Sequence, residues 1–412
     1  MTQPAFAPWP SFTQEEADAV SAVLLSNRVN YWTGEEGRAF EREFAAFAGT
    51  PHAIALANGT VAIDLALHGL GIGALNGGTA EDEVIVTPRS FMASVSAIVN
   101  ACAVPVFADV DAESQNISAE TVAPCLTDRT RAILCVHLAG WPCDMDPLAA
   151  LAKPRGIALI EDCAQAHGAR YKGRPVGGLG DVAAWSFCQD KIMTTGGEGG
   201  MITCADEALW RRMWAFKDHG KSYAAVYERA HPPGFRWLHE SFGTNWRLTE
   251  MQSVIGRIQL ARMPEWHRAR AANAARMTAG LSGLAGPEGP IRIPGPRCAG
   301  CNGACDAEAG CVNAWYKYYV FVRPDRLASG WDRDRIQAEI AEQGVPVMQG
   351  SCSEIYLEKA FDGTGLRPAE PLPVARELGQ TSLMFLVHPT LSEAAVDHAA
   401  TVAAEVLRRA AG

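Results

Sequence analysis

The sequence predicts an α/β fold: a large domain on a mostly parallel sheet, followed by a smaller α+β C-terminal domain. Three observations predict it. Short apolar runs alternate with segments of helical period through the first half of the chain. The pattern changes after about residue 260, where a long Arg/Ala-rich helical stretch runs into the Gly/Pro-rich LSGLAGPEGPIRIPGP. A chain of 412 residues also exceeds what one small core can serve. These place the large domain at 1–262 and the small one at 263–412.

The elements follow in order. Residues 11–26 (SFTQEEADAVSAVLLS) read as a helix with a Ser cap, acidic residues in the first turn and apolar residues at helical spacing. Residues 38–48 repeat that period, with Phe40, Phe44 and Phe47 on one face. Candidate strands are 53–57, 83–87, 104–108, 131–136, 157–162, 183–187 and 200–204. Helical patterns such as VAIDLALHGLG, MASVSAIVNAC and DPLAALAKPRG lie between them. The second half offers a helix over about 250–283, the strand WYKYYVFVRP, the helix RDRIQAEIAEQG and a last helix near 392–410. In parallel sheets the chemistry sits beyond the carboxyl ends of the strands, so residues that follow strands are the candidates.

Composition narrows the function. At 48% hydrophobic and 20% charged, the chain reads as an ordinary globular enzyme. A net charge of −10 argues against a nucleic-acid partner. The N-terminus MTQPAFAPWPSF has no basic n-region and no long apolar core, and no apolar run elsewhere spans a bilayer, so no membrane partner is expected. Twelve cysteines without a leader point to reduced thiols and a cytoplasmic location.

Four segments can carry chemistry. In IALIEDCAQAHGA, Asp162 ends a buried strand. It reads either as a helix N-cap or as a carboxylate keeping a heterocyclic nitrogen protonated. Gln165 can reach a ring hydroxyl from the same side, while His167 reads as a packing residue or a neighbour of Gln165. In SFCQDKIMTTGGEGG, Lys191 lies between two strands. It is either a solvated loop lysine or a nucleophilic amine that condenses with an aldehyde. Ser186 is placed to donate to an anion, and Gly196–Gly200 allows close backbone approach. In ALANGTVAIDLAL, Gly59 and Thr60 open a helix whose free N–H groups suit an anion, although such βα turns are common. Phe91, after the strand EVIVT, either stacks on a planar ring or joins the core.

These segments, in this order and together with NYWTGEEGRAFEREFAAFAG, TPRSFMA and GTNWRLTEMQSVIG, resemble the DegT/DnrJ-type sugar aminotransferases over nearly the whole chain. These are fold-type-I, aspartate aminotransferase-like enzymes dependent on pyridoxal 5'-phosphate. The resemblance implies that Lys191 carries the cofactor as a Schiff base and that Asp162 pairs with the ring nitrogen. It implies that Gln165 lies near the ring hydroxyl and that Phe91 stacks on the ring. Gly59, Thr60 and Ser186 would cradle the phosphate, and Asn245 would reach the phosphate held by a neighbouring subunit. The implied enzyme is a homodimer with a shared active site, moving an amino group from glutamate to a nucleotide-linked keto-sugar. Tyr31, Trp32, His219, Tyr223 and residues 351–361 match substrate-contact positions by the same pattern.

The chain departs from that pattern at RCAGCNGACDAEAGC. Cys298, Cys301, Cys305 and Cys311 suggest a structural zinc site, against the alternative of reduced thiols in a flexible loop. Three other functions compete. Sugar dehydratases of this fold carry histidine where Lys191 stands, so Lys191 argues for amino transfer. A cyclitol can replace the sugar as acceptor. A non-catalytic protein that binds the cofactor fits least, because Lys191, Asp162, Gln165 and Ser186 are all present.

Overall fold

The computed structural model describes residues 5–231, 234, 236–295 and 310–412. All seven predicted strands form and join one sheet: β1 (His52–Leu56), β2 (Glu83–Val86), β3 (Val104–Phe107), β4 (Thr130–Val136), β5 (Ala158–Asp162), β6 (Val182–Ser186) and β7 (Gly200–Cys204). Their spatial order is β1-β7-β6-β5-β4-β2-β3. Pairing is parallel from β3 through β2, β4 and β5 to β6, and antiparallel where β7 meets β6 and β1. Within this sheet β7 alone runs against the rest.

The strands are continuous apolar runs because both faces are covered. Alternate residues enter different cores: Ile54 and Leu56 pack on one side, Ala53 and Ala55 on the other. Val84 and Val86 likewise share the first core, whereas Ile85 faces a third. The helix Gly59–Leu70 lies on the first face and ends at Gly71 in the left-handed region, φ 70°. The first helix spans Gln14–Leu25, and its cap is Thr13 rather than the expected Ser11. The backbone N–H of Thr13 donates to Glu16 at 2.7 Å, and Glu16 is buried against Gln259 and Arg262, which fixes the cap there.

The helix Glu250–Leu281 passes unbroken through Pro264. Its C-terminal half packs with Arg333–Glu342 and Glu393–Ala410 on a four-stranded antiparallel sheet. That sheet runs Ile291–Arg292, Tyr318–Val322, Ser382–Phe385, Val347–Met348. Among the described residues no helix is long and apolar enough to cross a membrane.

Candidate active site

The carboxyl ends of the strands converge on one cavity of about 550 Å³. β1 leads to Asn58, Gly59 and Thr60, β2 to Ser90 and Phe91, β5 ends at Asp162 and β6 at Ser186; all line the cavity with Gln165 and Lys191. Its volume is that of a small-ligand site.

Gly59 is required by close approach. A Cβ there would lie 2.5 Å from Ser186 Cβ, so the start of its helix sits against the end of β6. Asn58 caps that helix by accepting the Val61 N–H at 3.0 Å. The adjoining first-turn N–H groups and the Ser186 hydroxyl form an anion-binding corner at the positive end of the helix. Ser186 Oγ accepts the Cys188 N–H at 3.3 Å, which leaves its own proton to donate into the cavity.

Asp162 is buried at the cavity wall. The Ser94 hydroxyl donates to Oδ2 at 2.9 Å and the Ala164 N–H to Oδ1 at 3.1 Å. No helix begins at Asp162, so the capping reading does not apply. Each oxygen keeps capacity for a further donor, as a protonated ring nitrogen requires. Gln165 Oε1 accepts the Ala139 N–H at 2.8 Å, which turns the amide NH₂ toward the cavity as a donor. Phe91 is 70% exposed at the mouth of the cavity, so the core reading fails. An exposed flat ring over a cavity is what a planar ligand would cover.

Lys191 is no solvated loop lysine: its side chain is 15% exposed. Its Nζ lies 3.7 Å from Asp190 Oδ1 and 5.3 Å from the centre of the Tyr316 ring. The Lys191 carbonyl accepts Trp9 Nε1–H at 2.7 Å, which ties its backbone down. Gly196 and Gly197, at φ 86° and 121°, turn the chain back into β7. Tyr316 donates its hydroxyl to Asp190 Oδ2. Burial raises the Asp190 carboxyl, but the Lys191 charge, that hydrogen bond and Lys317 outweigh it and hold it below the usual carboxylate range.

Other expected residues lie elsewhere. His167 does not line the cavity; it is buried beside the Trp185 and Phe187 rings, and burial pushes its imidazole down to about 3. Asn245 is exposed and not among the lining residues. Tyr31, Trp32 and Tyr223 cluster around Trp214 and His219 is exposed; none of them lines the cavity. From the later segment, Ser351, Cys352, Ile355 and Glu358 line an adjoining cavity that shares Phe91, Gln165 and Lys191. Cys298, Cys301 and Cys305 lie outside the described residues. Cys311 is half-buried and accepts the Lys172 N–H at 3.4 Å. The buried trio His137, Glu161 and Cys163 has ligand-type atoms within 4.8 Å of one another. However, Glu161 is saturated by His137 and three backbone N–H groups, which makes the trio structural.

The chain matches the DegT/DnrJ/EryC1/StrS aminotransferase family over residues 10–404. It belongs to that family. It is therefore an aminotransferase, with the fold that its sequence predicts. An aminotransferase from Psychrobacter cryohalolentis has 60% sequence identity and a TM-score of 0.91, over 97% of this chain and 98% of that one. The dTDP-3-amino-3,4,6-trideoxy-alpha-D-glucose transaminase of Streptomyces venezuelae is 34% identical over 93% of this chain and 90% of its own. The L-glutamine:2-deoxy-scyllo-inosose aminotransferase of Streptomyces fradiae is 39% identical over 68% of this chain and 66% of its own.

Ser94, Asp190 and Glu198 also line the cavity, and the sequence reading missed them. Two had usable signals: Ser94 follows Ser90 by one helical turn, and Asp190 adjoins Lys191.

Proposed function

We propose that this aminotransferase uses pyridoxal 5'-phosphate to move an amino group from L-glutamate to a keto-sugar linked to a nucleotide. The observation that carries the reading is one cavity joining a mostly buried amine, Lys191, to a buried carboxylate with spare acceptor capacity, Asp162. When bound, the cofactor supplies an electron-withdrawing ring that takes up charge from the reacting carbon. Asp162, oriented by Ser94, holds the proton on the ring nitrogen. Gln165 donates to the ring oxygen, and Phe91 covers the ring face. The Gly59–Thr60 turn and Ser186 hold the phosphate. Lys191 would hold the cofactor through its aldehyde, and its amine, when free, would serve as the base and acid that moves a proton between the substrate's amino-bearing carbon and the cofactor's carbon in each half of the transfer.

The nucleotide-linked acceptor is supported by the Streptomyces venezuelae relative. The Streptomyces fradiae relative supports a keto-cyclitol as the second reading. We further propose a homodimer whose cavity is completed by Asn245 of a second copy, in keeping with its exposure and its absence from this chain's own lining. A cytoplasmic location and a structural zinc on Cys298, Cys301, Cys305 and Cys311 complete the proposal. Metal analysis of chelator-free protein that finds no zinc removes the last of these.

The test is a visible spectrum before and after L-glutamate, beside Lys191→Ala. The wild type is expected to lose its long-wavelength cofactor band and the variant to show no such conversion. A wild type that takes up no cofactor defeats the reading.

A further inference from the structure

The cavity beside Lys191 holds a second amine that the proposed chemistry leaves without a task. This adjoining space, about 380 Å³, is lined by Lys191, Asp190, Tyr316, Lys317 and Ser351 among others. Lys317 follows directly after the strand-leading Tyr316, and its Nζ lies 4.9 Å from the centre of the Tyr316 ring, the ring that Lys191 also faces at 5.3 Å. Among the described residues Lys317 has no hydrogen bond and no ion pair. The Tyr316 hydroxyl is already committed to Asp190, and Asp190 Oδ1 is directed at Lys191. A half-buried ammonium facing a ligand-sized cavity, whose nearby carboxylate Asp190 is shared with Lys191 and bonded to Tyr316, calls for an anion that arrives with the ligand.

Geometry identifies which anion. The donor's amine must reach the carbon that Lys191 Nζ bonds, and its carboxylate is one carbon further on. Lys317 lies against the same ring as Lys191 and lines the same cavity, where it is open to that carboxylate, while Asp190 lies beside the Lys191 amine that the donor's amine displaces. The pair matches the two charges of an amino acid. Resting on the amino-transfer reading above, we propose that Lys317 binds the carboxylate of the amino donor and so selects an amino acid as nitrogen source.

Burial lowers the Lys317 amine to about 8; Asp190 opposes that shift, and Arg270 and Lys191 add to it. The exposed Glu358 is a further carboxylate at the cavity wall. An amine at that value is charged at neutrality and discharges in mild alkali, whereas a guanidinium stays charged.

The experiment titrates glutarate, a dicarboxylate without an amine, into cofactor-loaded wild type, Lys317→Gln and Lys317→Arg by calorimetry. Glutarate affinity should fall about tenfold or more in Lys317→Gln, as expected for a lost charge-assisted contact, and hold within about threefold in Lys317→Arg. Between about pH 7 and about pH 9 the wild type should lose affinity and Lys317→Arg should keep it. Equal glutarate affinity in wild type and Lys317→Gln overturns the proposal. So does a weakened affinity for a nucleotide-linked sugar alone, which would assign the anion to the acceptor. If Lys317→Gln does not fold, a wild-type affinity that is flat across that pH range overturns it instead. Glutarate binding needs no transfer, so a wild-type spectrum unmoved by L-glutamate would defeat the amino-transfer reading itself, separately from the Lys317 contact.

Discussion

Glu161 and Asp162 are neighbours at the end of one strand, and they do opposite work. Glu161 points to one face of the sheet, where His137 Nε2 contacts it at 3.0 Å and the N–H groups of Gly177, Leu179 and Gly180 donate to it at 2.8–2.9 Å. The Cys143 N–H donates to His137 Nδ1, which leaves the ring proton on Nε2 for Glu161. Every acceptor site is taken, and a loop is pinned. Asp162, one residue on, faces the other side, where Ser94 and Ala164 leave both its oxygens room for another donor. Strand alternation sets the two apart, and what separates structure from chemistry is unfilled hydrogen-bonding capacity, not burial.

The largest effects should break this contrast in opposite directions. Asp162→Asn is expected to lower transfer by about a hundredfold or more while leaving the thermal midpoint near wild type, read by a coupled assay and calorimetry. Glu161→Ala should do the reverse in cause: about 3–5 kcal/mol of stability lost through an orphaned His137 and three unpaired N–H groups, read by urea unfolding. If Asp162→Asn unfolds the protein and Glu161→Ala does not, the two roles have been exchanged.

Acidification sharpens the same distinction. Burial raises the Glu161 carboxyl, but the hydrogen bond from His137, with the backbone donors, outweighs it and holds it below the usual range. A folded-state value below the unfolded one adds stability that is complete above about pH 4.3 and lost as pH falls through the folded value. Glu161→Gln should therefore be less stable near neutrality and show a flatter acid limb.

Smaller effects test the cavity's walls. Gly59→Ala must push its helix off Ser186, at a cost of about 1–3 kcal/mol and with weaker cofactor retention on dialysis. Phe91→Ala removes a ring that is 70% exposed, so stability should stay within about 0.5 kcal/mol while cofactor retention falls. A stability loss as large as that of Gly59→Ala would mean that Phe91 serves the core after all.

The strands were legible because each is a short apolar run punctuated by a turn, and all of those named formed. Their lateral order was not, since it depends on crossovers that leave no local mark. Asp162, Ser186 and Lys191 could be found because they follow strands, and the strand ends meet at one edge. Tyr316 and Lys317 could not: they lie just before the strand Tyr318–Val322, more than a hundred residues from Lys191, and nothing in the run WYKYYVFVRP marks them apart from core. Thr13 replaced Ser11 as a cap because Glu16 is held by the distant Gln259 and Arg262, contacts invisible in a short window.

β6 and β7 pair from Val182↔Cys204 to Ser186↔Gly200, so residues 187–199 form a closed loop with Lys191 inside it. The amine is thus held on a short leash whose two ends are laced together. Opening the chain within that loop, with the natural termini joined, would leave the ladder intact yet let the lysine wander. Such a rearranged chain should keep its sheet and lose its catalyst, which makes the lacing, more than the lysine's neighbours, the part that a designer must copy.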